Sequence, residues 1–298
     1  MSRKTTELWR TGIVHAPITE VIRPGVLHTT PITWLPDPGR FRFVADPFGL
    51  PHEGGLTVFA EALDYRQKRG EIHYYRYDRG TLTGTGVALR EPFHLSYPQI
   101  IQDGGETYML PEAHRSGRLM LYRAECFPDV WRPEVVLMDA PVIDASLIRH
   151  DGLWWMFYAL PGSDDQAQRE LNVAFAESLK GPWHAHPGNP VRAAQHSARP
   201  GGTPFVMDGY VMLPTQNCIG GYGQSLSLLR IDRLGSADFA ASLAGTLSPD
   251  GLLEGFGDGL HTLSAAGEVT LIDVKRLDPS PDRWLIDLQR RFNRLLRA

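Results

Sequence analysis

The sequence predicts an all-β chain folded as a five-bladed β-propeller, with an extended N-terminal segment and a C-terminal amphipathic helix. From about residue 41 to residue 274, short β-rich runs alternate with tight turns, and the chain contains 30 Gly and 23 Pro in 298 residues. An Asp-Gly pair interrupts the β-rich runs at 146–160 and at 203–216, which is a strong hairpin signal. Because no long helical period precedes the C-terminus, a parallel α/β sheet is not favoured.

Five short motifs look like equivalent openings of a strand, and they set the number of blades. In chain order they contain Asp46 in ADPF, Tyr97 in SYPQI, Asp144 in DASL, Arg199 in ARPGG and His261 in GLHTL. The successive intervals are 51, 47, 55 and 62 residues, and a four-stranded propeller blade takes roughly 40–50 residues. The innermost strands of a propeller surround its axis, so these five residues are predicted to line one cavity. A large β-sandwich with scattered polar residues is the alternative.

The chain divides into an extended segment at 1–40, a propeller at 41–278 and a helix at 279–298. The first segment carries five prolines and is predicted to close the ring or to pack across one face. After Pro279 and Pro281, apolar residues recur at helical spacing beside five arginines. A helix docked on the propeller is favoured there over a helix that makes weak contact with a membrane surface or a partner.

The composition excludes several classes of protein. A hydrophobic fraction of 42% with 21% charged residues is typical of a globular domain, and a net charge of -4 argues against nucleic-acid binding. Two cysteines exclude a disulfide scaffold and a Cys-rich zinc site. No secretion signal or membrane-spanning run is visible, so a cytoplasmic location is expected. Neither a cofactor nor a metal is predicted, because the phosphate-loop, nucleophile-elbow and zinc-binding patterns do not occur.

A set of motifs in fixed order resembles a known family. The motifs are ADPF, HLSYPQIIQDGGETYMLPEA, CFPDVW, DASLIRHDGLWWMFYA, SLKGPW, ARPGG and HTL. Together they resemble the N-terminal propeller domain of plant glucosamine inositolphosphorylceramide transferases and its stand-alone bacterial relatives, from about Arg40 to Asp273. That domain is similar to the five-bladed propellers of family-43 arabinanases and β-xylosidases. Ala145 and Gly201 depart from the family pattern, which affects the expected shape of the pocket.

The resemblance implies a carbohydrate-related pocket with three candidate catalytic carboxylates. Asp46 matches the position of the base in the arabinanase-like propellers, where it would activate a water molecule for attack at an anomeric carbon. Glu112 and Asp144 would supply the acid or tune its pKa. The arabinanase-like acid is a third-blade Glu that this sequence lacks. The structural alternatives are that Asp46 caps the turn at Pro47 and that Glu112 is a buried hydrogen-bond anchor.

Further polar and aromatic residues are predicted to bind the substrate. The planar guanidinium of Arg199 suits a carboxylate or phosphate on the substrate, although an internal ion pair with Asp46 or Asp144 is an equal alternative. The residues expected to stack on a sugar or to bond its hydroxyl groups are His94, Tyr97, Gln216, Tyr222 and His261. Each of these residues also suits a purely structural role. A metal ligand on the axis is the lesser alternative for His261.

Three functions stay open from the sequence. The leading hypothesis is an enzyme that acts on a glycosyl linkage, as a hydrolase or in glycosyl transfer, on a glycan or small-molecule substrate that carries an anionic group. The second is a noncatalytic module that binds a glycan or glycolipid. The third is a biosynthetic enzyme that uses the pocket for a substrate other than a sugar. Two axial carboxyl groups open to solvent would favour catalysis, and carboxyl groups buried against Arg199 would favour binding.

Overall fold

The computed structural model describes residues 5–162, 166–279, 284–286 and 288, and it confirms the five-bladed propeller. Five sheets surround one axis, and every pairing between neighbouring strands is antiparallel. The alternative of a large β-sandwich is therefore wrong.

The N-terminal segment and the first two blades contain the first ten strands. The segment consists of β1 (Thr6–Val14), α1 (Ile18–Val21), α2 (Val26–Thr29) and β2 (Ile32–Trp34). The first blade consists of β3 (Arg42–His52), β4 (Gly55–Asp64), β5 (Arg69–Asp78) and β6 (Thr81–Leu89). The second consists of β7 (Ser96–Asp103), β8 (Glu106–Glu112), a 3-10 turn (His114–Ser116), β9 (Leu119–Cys126) and β10 (Val130–Met138).

The last three blades follow the same pattern. The third consists of β11 (Ile143–His150), β12 (Leu153–Ala159), the short helix α3 (Gln166–Arg169), β13 (Glu170–Ala176), β14 (His184–Ala185) and β15 (Arg192–Ala193). The fourth consists of β16 (Phe205–Met207), β17 (Tyr210–Asn217), β18 (Ser225–Leu234) and β19 (Phe239–Leu247). The fifth begins with β20 (Leu263–Ala266) and β21 (Val269–Asp278).

The N-terminal segment completes the fifth blade, whose strand order is β2-β1-β21-β20. Strand β1 pairs with β21 in continuous register from Thr6 opposite Asp278 to Val14 opposite Thr270. Pairing between the two ends of the chain closes the ring and covers a strand edge that would otherwise be exposed. The sequence left two placements open for this segment, and the structure shows the one in which the segment closes the ring.

The two Asp-Gly hairpins form as the sequence predicts. Asp151 and Gly152 have φ angles of 48° and 81°, and Asp208 and Gly209 have φ angles of 52° and 81°. The first pair forms the turn between the paired strands β11 and β12, and the second forms the turn between β16 and β17. Two consecutive left-handed residues match the twist of the flanking strands, which explains why Asp-Gly occurs there.

The innermost strands of the first three blades share a bulge, and the bulge explains the repeated motif. Asp46, Tyr97 and Asp144 have positive φ angles of 52°, 47° and 47°. In each blade the register of the inner hairpin shifts across that residue. A bulge bends the strand and re-aims a side chain. The motif therefore marks the same backbone feature three times.

The predicted C-terminal helix at 279–298 lies mostly outside the described residues. Trp284, Leu285, Ile286 and Leu288 are helical. Ile286 is buried, whereas Trp284 and Leu288 are exposed. No helix within the described part of the chain is long and apolar enough to cross a membrane.

Candidate active site on the propeller axis

The five residues that open the repeats converge on the propeller axis through two buried ion pairs and one hydrogen-bonded tyrosine. Asp46 lies in β3, Tyr97 in β7 and Asp144 in β11, while Arg199 and His261 lie in the segments that precede β16 and β20. Strand β3 packs against β7 and β20, and β7 packs against β11. The packing of the innermost strands thus brings together residues far apart in the sequence.

Asp46 belongs to a cluster with His261, Asp273 and Thr262. His261 Nε2 lies 3.3 Å from Asp46 Oδ1, and His261 Nδ1 lies 2.7 Å from Asp273 Oδ1. The hydroxyl of Thr262 donates to Asp46 Oδ1 at 3.1 Å. Asp273 also accepts the backbone N–H groups of Asp46, His261 and Thr262. Asp273 therefore fixes the backbone of the first and fifth blades together and orients the imidazole.

An aromatic cage holds the imidazole of His261. Trp9 from β1 stacks on the ring with 3.8 Å between centroids, and Tyr222 approaches it edge-on at 5.3 Å. Lys275 lies 5.2 Å from the centroid of Trp9 and donates to the carbonyl of Tyr222. The strand that closes the ring thus also completes the site.

Asp144 is the partner of Arg199. Arg199 Nε donates to Asp144 Oδ2 at 2.7 Å, and the guanidinium lies 4.9 Å from the centroid of the Tyr222 ring. The amide of Gln216 donates to the same carboxylate oxygen at 2.8 Å and to Pro200 O at 2.9 Å. Reversing that amide would place its oxygen against two acceptors, so its orientation is settled. Gln216 Oε1 is buried and has no partner among the described residues.

Tyr97 reaches the axis but is committed to the protein. Its side chain is fully buried. The hydroxyl lies 2.8 Å from Ser146 Oγ and 3.2 Å from Gly202 O, and it accepts the N–H of Gly202. Gly202 has a φ of 136°, and a β-carbon there would lie 1.9 Å from Leu263 O. Tyr97 therefore ties the second, third and fourth blades together.

Two further carboxyl groups, Glu61 in β4 and Glu112 at the end of β8, each lie close to a histidine. His114 Nδ1 lies 2.5 Å from Glu112 Oε1. His94 Nε2 lies 3.4 Å from Glu61 Oε1, and its Nδ1 accepts the N–H of Gly70. Both carboxyl side chains are buried, while the histidines are partly exposed. His94 therefore lies at the rim of the site.

Burial and mutual repulsion raise the pKa values of the axial carboxyl groups. Burial raises the pKa of Asp46 to about 7, against the attraction of His261 and with help from Asp144, Asp273 and Glu112. The pKa of Glu61 is raised well above its usual range by burial and then by the charge of Asp46. Burial also raises the pKa of Glu112, although its bond to His114 opposes the shift. Each of these carboxyl groups therefore retains its proton to a higher pH than an exposed carboxyl group does.

The pKa of His261 is raised, which favours the charged imidazolium. Burial would lower its pKa, but Asp273 and Asp46 outweigh burial and raise it. Asp46, His261 and Asp273 are also a group whose possible ligand atoms lie within 4.8 Å of one another. Both imidazole nitrogens already face carboxylate oxygens at 2.7 and 3.3 Å, so a cation would have to replace these contacts.

Comparison with known proteins identifies the family. The family described as "Glucosamine inositolphosphorylceramide transferase 1, N-terminal" matches residues 33–244. The chain belongs to this family. Glucosamine inositolphosphorylceramide transferase 1 of Oryza sativa subsp. indica is 39% identical over 204 residues, which cover 66% of this chain and 27% of that protein. The protein of the same name from Arabidopsis thaliana is 31% identical over 245 residues, covering 79% of this chain and 31% of that protein. The chain therefore spans under a third of the length of these relatives.

Solved structures share the fold of this domain at low sequence identity. The α-L-arabinofuranosidase PaAbf62A from Podospora anserina gives a TM-score of 0.56 at 9% identity, covering 83% of this chain and 95% of that one. Zg3597, a family 117 glycoside hydrolase from Zobellia galactanivorans, gives 0.53 at 15% identity, covering 81% and 86%. The predicted resemblance to the transferase N-terminal domain and to glycosidase propellers is confirmed.

The family match ends at residue 244, so part of the site lies beyond it. The matched span includes Asp46, Glu112, Asp144, Arg199 and the further predicted residues His94, Tyr97, Gln216 and Tyr222. His261 and Asp273 lie after it, and Trp9 lies before it. The closing blade of this domain therefore supplies the residues that surround Asp46.

Sequence reasoning missed Asp273, Trp9 and Lys275. Asp273 and Lys275 interrupt the apolar run of β21. A charged residue inside a strand of this kind is buried only when it is paired, and that signal was available. Trp9 gives no such signal, because a single tryptophan in a strand is an ordinary core residue.

Proposed function

We propose that the axial site binds a glycosyl group and catalyses a reaction at its glycosidic bond, with Asp46 as the group that accepts a proton. The observation that carries the proposal is the pKa of Asp46, which burial raises to about 7 within a ring of axial carboxyl groups. A general base works best when its pKa lies near the working pH. Perturbed carboxyl groups of this kind cluster at functional sites.

The contacts of Asp46 leave one of its oxygens for a reactant. Thr262 and His261 both approach Oδ1. No described residue bonds Oδ2, and the side chain keeps 7% of its surface exposed. Oδ2 is therefore available to a water molecule or a sugar hydroxyl group. Asp273 would act as a positioning residue, because it holds the imidazole and the backbone of Asp46.

Glu112 is the best candidate for the proton donor. Burial and the neighbouring Asp144 raise its pKa, which keeps it protonated at higher pH. Asp144 is committed to Arg199 and Gln216, so its expected role is to hold Glu112 in the acid form. The same pair of groups would serve hydrolysis or transfer, depending on whether water or a second hydroxyl group attacks.

The second candidate is a noncatalytic glycan-binding domain, and the ion pair of Asp144 with Arg199 favours it. Both side chains are largely buried, at 4% and 13% exposure, as expected for a structural pair. Gln216 Oε1 is buried without a hydrogen-bond partner among the described residues, and Glu61 Oε1 has only the 3.4 Å contact with His94 Nε2.

The test measures binding and turnover on the same proteins. Mono- and disaccharides, including acidic ones, are titrated by calorimetry, and chromogenic glycosides of the same sugars are assayed for turnover. We expect Asp46→Asn to lower turnover by about 10²-fold or more while sugar binding persists. Asp139→Asn is the control, because Asp139 is 79% exposed and pairs only with the surface residue Arg118 in the described structure.

The outcomes separate the two candidates. Turnover that is unaffected by Asp46→Asn removes Asp46 from the mechanism. Sugar binding by the unmodified protein without any turnover supports the noncatalytic function. Neither binding nor turnover with any sugar of the panel contradicts both.

A further inference from the structure

A cavity of about 360 Å³ opens beside the axial site, at the junction of the first and second blades. It is lined by residues 67–69 at the turn between β4 and β5, residues 92–94 before β7, and Arg115 in the turn after β8. These segments lie at the N-terminal ends of β3 and β7, and Asp46 and Tyr97 lie in the N-terminal halves of these two strands. The cavity therefore opens at the same end of the propeller as the axial residues.

The lining carries positive charge with no acidic residue among its members. Lys68 and Arg115 form no ion pair with any described residue. Arg69 Nη2 lies 3.2 Å from Glu71 Oε1, but Arg90 holds both oxygens of Glu71 more closely, at 2.7 and 2.8 Å. Arg69 Nε is buried and lacks a hydrogen-bond partner in the described structure. A buried donor without a partner is costly unless a ligand satisfies it.

Two residues that line the cavity, His94 and Arg115, connect it to the carboxyl groups of Glu61 and Glu112. His94 lines the cavity and lies 3.4 Å from Glu61 Oε1. Arg115 follows His114, the partner of Glu112. Burial, then the charges of Arg115 and His114, lower the pKa of His94 to about 4, so this residue is neutral near neutral pH. The positive charge of the cavity therefore comes from Lys68, Arg69 and Arg115.

We propose that this cavity binds the phosphoryl group of a ligand whose glycosyl part occupies the axial site. Two guanidinium groups and one ammonium group around a small cavity suit the several oxygens and the negative charge of a phosphate. The sequence left Arg199 equally suited to an anion on the substrate or to an internal ion pair, and its Nε is paired with Asp144. The link to the glycosyl group rests on the proposed function, whereas phosphate binding itself does not.

The experiment titrates inorganic phosphate and glycerol 3-phosphate into the full chain by calorimetry, with glycerol as the neutral control. We expect both anions to bind and glycerol not to bind. Arg115→Gln and Lys68→Gln are each expected to weaken binding by about tenfold or more, the usual effect of removing a charged hydrogen-bond donor. Arg118→Gln is the matched control, because Arg118 lies in the same turn but is 60% exposed and pairs with Asp139. Far-UV circular dichroism and urea midpoints show whether each variant is folded.

A second arm identifies the source of the phosphate. Sedimentation with phosphatidylcholine vesicles, with and without phosphatidic acid, presents the same monoester on a lipid surface. Binding to either form that Arg115→Gln weakens and Arg118→Gln does not supports the site. No binding of either form, or equal losses in the two variants, overturns it. Phosphate binding with no glycosyl turnover or sugar binding would then contradict the proposed function and not this site.

Discussion

Replacement of Asp46 by Asn is expected to make the protein more stable, by an amount that grows with pH. The ordinary pKa of an aspartate is 3.8, and burial raises that of Asp46 to about 7. Below about pH 4 the carboxyl group is protonated in the folded and the unfolded chain, so it adds no pH-dependent term. Between about pH 4 and 7 the unfolded chain releases the proton while the folded chain retains it, and this difference favours unfolding.

The rise in the pKa of Asp46 on folding, from 3.8 to about 7, determines how much stability the variant gains. The variant is expected to gain less than about 1 kcal/mol in free energy of unfolding at pH 4, about 1–2 kcal/mol at pH 5 and about 4 kcal/mol at pH 8. Asparagine keeps an oxygen that accepts from Thr262 and tolerates the left-handed backbone at this position, where φ is 52°. The substitution therefore removes the charge of Asp46 and leaves Asp273 as the carboxylate that faces His261.

Urea denaturation of both proteins at pH 4, 5 and 8 measures the gain, with Asp139→Asn as an exposed control. A gain that rises with pH supports the buried environment of Asp46, and the expected loss of turnover would make this residue a case of function traded against stability. A variant that is less stable than the original protein at pH 8, or a difference independent of pH, would refute the reasoning.

Two further substitutions test the contacts that join the blades. Arg199→Gln is expected to lower the free energy of unfolding by about 3–5 kcal/mol in urea denaturation, because the buried carboxylate of Asp144 loses its charged partner. Combining it with Asp144→Asn should recover most of that loss. Additive losses in the double variant would contradict the pairing. Tyr97→Phe is expected to cost about 1–3 kcal/mol, because the N–H of Gly202 loses its acceptor, while Tyr210→Phe, at an exposed position, should change stability little. Equal midpoints for the two tyrosine variants would show that the Tyr97 hydroxyl bonds do not stabilise the fold.

The sequence was sufficient to predict the blades because the features that form them are local. An Asp-Gly pair sets its own left-handed turn, and the bulge residue of the first three inner strands lies at a recurring position in a short motif. The intervals between these motifs then determined the number of blades. The same periodicity predicted that the five residues that open the repeats, Tyr97 among them, would line one cavity on the axis.

Only the tertiary structure decided which of these residues are partners. Arg199 had two candidate carboxylates, and the third and fourth blades bring Asp144 to it across 55 residues of sequence. The environment of Asp46 depends on Asp273 and Trp9, whose positions follow from the pairing of β1 with β21. Local sequence carries little information about pairing between the two ends of a chain, because the contact exists only when the whole ring closes. The pKa of Asp46 likewise depends on burial and on charges from several blades. The sequence therefore identified this carboxyl group as a candidate, and only the fold raises its pKa.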